Sequence, residues 1–148
     1  MRPLLGGLLV FILLFLTADI ALKNDQIGLT PTQLSQTLFG NEEEYVTPIT
    51  EHFLLELMHA DIFFMMMTLL TLSAVYARLC QNERIRNFNI HTTMITALLS
   101  ILFLALAYYL SELFIFPFII SFYSWHFLAL IMALASLYYL FVPSKRKY

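Results

Sequence analysis

The sequence predicts an all-α integral membrane protein: a four-helix bundle with a short extracytoplasmic amphipathic helix. Three observations predict it. Sixty per cent of the 148 residues are hydrophobic and only 12% are charged, whereas a soluble domain carries about 25% charged residues. The apolar residues fall into four long runs. The basic residues are divided very unevenly between the segments that join those runs. A water-soluble fold of this composition would expose apolar patches large enough to aggregate, so lipid is the expected solvent. The length suits one domain.

The four runs are Pro3–Leu22, Phe53–Ala77, Ile90–Tyr109 and Phe116–Val142. Each holds at least the ~20 residues that cross roughly 30 Å of hydrocarbon at about 1.5 Å per residue, and the fourth is longer than needed. Pro117 suits the first turn of the last helix and Pro143 suits its end. Tyr108, Tyr109, Tyr138 and Tyr139 fall near expected interfaces, as aromatic belts do.

Charge gives the orientation. Arg2, then Arg78, Arg84 and Arg86, then Lys145, Arg146 and Lys147 share one side of a four-span chain. Only Lys23 falls on the other side, with Asp25 and the run Glu42-Glu43-Glu44. The positive-inside bias places both termini and the loop 78–89 in the cytoplasm, and the loop 23–52 outside. The first run has a rival reading as a cleaved signal peptide. Its Thr17-Ala18-Asp19-Ile20-Ala21 end is a poor small-x-small cleavage site, and an uncleaved anchor is preferred.

The outside loop carries its own helix signals. Thr30 can cap, Pro31 fits the first helical position, and Gln33 completes a capping box. Leu34, Leu38 and Phe39 form one apolar stripe, and Gly40 fits the stop. Thr47-Pro48 repeats the start signal before the second span. The three glutamates read as a solvated turn that sets topology rather than as a cation site.

Ionisable groups at membrane depth are costly and usually face the bundle interior. His52, Glu56 and His59 share one face of the second span, continued by Phe63 and Met66. Asp61 lies about 200° round from His59 at about 100° per residue. The fourth span carries Ser121, Tyr123, Ser124, Trp125 and His126, and the third ends with Tyr109, Ser111 and Glu112. The outer half is therefore expected to gather Glu56, His59, Asp61, Tyr109, Glu112 and His126. The inner half holds His91, Thr92, Thr93, Thr96 and Ser100.

Several chemistries fit such a cluster. A b-type haem needs two neutral imidazoles facing across the bundle at equal depth, and His59 with His126 is the pair that fits. A quinone or proton site would use the same residues, with His59 and Asp61 exchanging protons and Tyr109 nearby. A metal site on His52, Glu56 and His59 has half the Glu-x-x-His pattern of a di-iron bundle, without a second copy. The structural alternative is that these groups only bond helices together or reach headgroups, with Met65-Met66-Met67 as gap-filling packing. It makes the protein an accessory or assembly subunit beside larger membrane partners.

Other classes fare worse. The single cysteine, Cys80, rules out an internal disulfide and a CxxC pair. The chain has no Gly-rich phosphate loop, HExxH or GxSxG, and no basic nucleic-acid surface. A nucleotide or nucleic-acid partner is not expected. It also lacks the inverted repeat of a transporter. A non-enzymatic role is preferred, with an enzymatic one left open.

One segment carries a resemblance. Leu29-Thr30-Pro31, then Leu38-Phe39-Gly40-Asn41-Glu42-Glu43, then Leu54-Leu55-Glu56 with His59 and Phe63, resembles small uncharacterised multi-pass proteins of bacterial inner membranes. It covers about residues 29–64. It implies a bacterial inner-membrane location and supplies no activity. Some proteins of that pattern have a second histidine where this chain has Asp61.

Overall fold

A computed structural model describes residues 2–142 of the chain. It contains α1 (Arg2–Gln26), α2 (Pro31–Phe39), α3 (Glu51–Leu79), α4 (Glu83–Tyr109) and α5 (Ile115–Phe141), with a 3-10 turn, Glu112–Phe114, before α5. Four of these helices are long and apolar enough to cross a membrane; α2 is not. Pro143 and the Lys145–Lys147 cluster lie outside the described residues.

Three of the long helices, α1, α3 and α4, overrun their apolar runs at polar ends, because backbone bonding continues past the lipid-matched length. The clearest case is α4. Asn82 caps it by accepting from the amides of Arg84 and Ile85 at 3.1 and 3.2 Å, which is what an N-cap side chain does. The segment 83–89 is therefore helical, and the loop expected over 78–89 shrinks to Cys80-Gln81-Asn82. The start of α3 also differs from expectation. Thr50, not Thr47-Pro48, caps it, accepting from Phe53 N at 3.3 Å.

The helix α2 follows its local signals. Thr30 accepts from Gln33 N at 3.3 Å, Pro31 opens the helix, and Gly40 closes it with φ 83°. The Gln33 side chain takes a bond from the Thr30 hydroxyl at 2.9 Å instead of reaching back to the backbone. Leu34 and Leu38 are buried, but Phe39 is 41% exposed and lies off the stripe. The turn into α2 needs Gly28 at φ 74°, where a Cβ would come 2.5 Å from that of Gln33.

The helix α5 is the centre of the bundle. It packs on α4 along most of its length and also on α1, α3 and α2. The buried stripes of α1 and α3 face it: Leu9, Ile12 and Leu16 on one, Met65, Leu69 and Leu72 on the other. Two apolar clusters result. One holds Leu16, Met65, Leu72, Ala129 and Met132. The other, toward α2, holds Ile27, Leu34, Leu57, Leu104 and Phe118.

Candidate functional site

A polar layer separates the two clusters, and all four long helices contribute to it. In α1, Asp19 and Lys23 fall between buried Leu16 and Ile27. In α3, Asp61 falls between Leu57 and Met65. In α4, buried Ser100 falls between Ala97 and Leu104. In α5, His126 falls between Phe122 and Ala129. At about 1.5 Å per residue, Asp19, Asp61, Ser100 and His126 lie about 10–17 Å from the helix ends nearest α2, and Lys23, about 5 Å from the end of α1, reaches back toward them.

Two pairs organise it. Lys23 Nζ donates to Asp61 Oδ1 at 2.7 Å and Oδ2 at 2.5 Å, with the lysine side chain 4% exposed. Helix side chains lean toward their own N-terminus. The antiparallel directions of α1 and α3 therefore aim Lys23 and Asp61 at each other. The second pair is His126 Nε2 with Asp19 Oδ2 at 3.0 Å. His126 Nδ1 sits 2.9 Å from the carbonyl of Phe122 one turn back. His126 is 1% exposed and lies against Trp125 and Phe122, with ring centroids 3.7 and 4.2 Å away.

A cavity of about 20 Å³ adjoins the pairs, lined in part by Asp19, Lys23, Asp61, Ser100 and Trp125. The Trp125 indole N–H is buried without an acceptor in the protein. The Ser100 hydroxyl donates to Ala97 O at 2.7 Å.

The residues expected to form a site divide sharply. Asp61 and His126 are brought into one layer, Asp61 against Lys23 and His126 against Asp19. His52, Glu56 and His59 face away from the bundle with Phe63, Met66 and Leu70, all exposed. Among the described residues these three make no side-chain hydrogen bond. Tyr109 is exposed and donates to Glu51 at 2.8 Å, bonding the end of α4 to the start of α3. Glu112 accepts from Ser35 at 3.3 Å.

The haem geometry that motivated pairing His59 with His126 is therefore not formed. The physical reason is the rotation of α3: the face carrying Asp61 turns inward, and His59, about 200° away, turns outward. His126 also has both ring nitrogens engaged. Nor do the described residues, His52, Glu56 and His59 included, hold three His, Cys, Asp or Glu side chains grouped to bind a metal. Ser100, expected with the inner-half residues, belongs to the polar layer.

Asp19 and Lys23 were missing from the expected site. Asp19 looked like part of a poor cleavage site, and Lys23 like the one basic residue of the outside loop. Their signal was the spacing: an acid and a base at i and i+4 near the end of a long apolar run, which share one helix face.

Four apolar helices closed around a buried polar layer define a polytopic membrane protein. Residues 28–147 match a family described as a transmembrane helical domain, and the chain belongs to that family. The match begins after α1, so α2 to α5 carry it and α1 adds Asp19 and Lys23 from outside it. Comparison with curated proteins and with solved structures gives no match.

Proposed function

We propose that this chain is an accessory subunit of a larger membrane assembly, docked through the outward face of α3. One observation carries the reading. His52, Glu56 and His59 lie on a single face turned away from the bundle, in line with exposed Phe63 and Met66. Ionisable groups toward lipid are costly, and interhelical hydrogen bonds are how membrane helices satisfy them. A partner helix offering polar groups near Glu56 and His59, and an apolar surface near Met66, fits this face. The haem or quinone alternative would require His126 to give up Asp19 and α3 to turn by about half a revolution, so the accessory role is preferred.

The same reading keeps α1 as an uncleaved anchor, because Leu9 and Leu16 are fully buried and Asp19 and Lys23 are paired. It places both termini in the cytoplasm of a bacterial cell, with α2 outside the inner membrane, on the basic-residue split. An impermeant thiol reagent should label a cysteine at Glu43 from outside in a Cys80→Ser background; labelling only after lysis would reverse the orientation.

Docking is tested by a photo-crosslinking residue at position 59 in living cells, with position 98 on exposed α4 as control. The expected result is an adduct with one other membrane protein at position 59 alone, weakened by Glu56→Ala. Adducts to lipid only at both positions, or to a second copy of this chain only, would overturn the accessory role.

A further inference from the structure

The hydrogen bonds of His126 constrain its protons. A backbone carbonyl can only accept, so the 2.9 Å contact with Phe122 O requires a proton on Nδ1. The other nitrogen faces a carboxylate oxygen of Asp19 at 3.0 Å. A lone pair facing an ionised carboxylate would be repulsive. Either Nε2 carries a proton and donates, or Asp19 is protonated and donates to Nε2. Both arrangements place one proton between the two atoms.

Charge balance gives the same number. The titratable groups that face the site are Asp19 and Lys23 on α1, Asp61 on α3 and His126 on α5; α4 contributes the Ser100 hydroxyl. With one proton on the Asp19–His126 pair, the layer sums to zero, whether that proton rests on nitrogen or oxygen. Removing it leaves a net negative charge at membrane depth, and adding another leaves a net positive one. Both are costly where water is excluded. Moving the proton breaks the Nε2–H bond, forms an Oδ2–H bond and cancels the two charges, with no other reactant.

We propose that Asp19 and His126 form a proton-binding site, with one water in the adjoining cavity linking it to the Lys23–Asp61 pair. The cavity, about 20 Å³, exceeds the ~10–15 Å³ that one water requires. Asp19, Lys23 and Asp61 line it and supply the two to four polar partners such a water needs, and Trp125, whose indole N–H has no acceptor in the protein, lines it as well. The proton ligand is independent of the docking role of α3, which uses a different face.

The test is nitrogen NMR on histidine-labelled protein in lipid bilayers, with infrared detection of aspartate carboxyls, both followed against pH. The expected result is a His126 Nδ1 that stays protonated throughout, and a His126 Nε2 signal that changes at the same pH as the Asp19 carboxyl band. Asp19→Asn should abolish that joint step and leave His126 neutral, since an asparagine amide can donate to Nε2. Water-edited spectra should show transfer to the Trp125 indole N–H. A neutral His126 protonated on Nε2 alone, or two groups titrating separately, would overturn the site; a dry indole would overturn the water link. If Asp19→Asn does not fold, the wild-type pattern decides.

Discussion

His59 and His126 are the same side chain at comparable depth, yet their surroundings differ completely. His126 is 1% exposed with two hydrogen bonds, while His59 is exposed with none among the described residues. Helical periodicity alone separated Asp61 from His59, and that separation was legible from numbering. Which of the two faces turns inward was not, because it depends on the stripe of neighbouring α3 residues meeting α5 and α1. The difference has an energetic consequence. His126→Ala should destabilise the bundle by about 2–4 kcal/mol, through a cavity and an unpaired Asp19. His59→Ala should change the isolated bundle by less than about 0.5 kcal/mol. Unfolding in mild detergent checks both, and equal losses would contradict the assigned faces.

At the scale of elements, α2 was the most legible piece. Its cap, opening proline and closing glycine act within a few residues, so no distant partner has to be known. Phe39 departs because the buried stripe of α2 ends with Leu38, one residue before it. The long helices were legible as apolar runs, but their polar ends were not: Glu83 to Asn89 is helical through the Asn82 cap although it lies beyond the apolar run. The first helix was least legible. Its apolar residues look alike all round, and only the i, i+4 pair of Asp19 and Lys23 marks the face that meets the bundle. The turn joining it to α2 can be probed directly. Gly28→Ala combines a positive φ with a 2.5 Å approach to Gln33 and should cost at least about 1–2 kcal/mol. An unchanged melting midpoint would contradict the left-handed turn at Gly28.

For the whole molecule, the organising feature is a polar layer that crosses an apolar bundle. Two apolar clusters, one on each side, flank Asp19, Lys23, Asp61 and His126. Burial makes each partner depend on the other: removing one member of a buried pair leaves an uncompensated charge and costs about 3–5 kcal/mol. The layer also explains how α1 belongs to the bundle although the family match begins after it. It bonds to α3 through Lys23–Asp61 and to α5 through Asp19–His126. The most direct measurement is therefore a charge exchange between α1 and α3, read as thermal stability of purified protein. Lys23→Asp or Asp61→Lys alone should each lose about 3–5 kcal/mol, and the double exchange should recover more than half of it. Single variants as stable as the wild type, or a double variant no better than the worse single one, would contradict the buried layer.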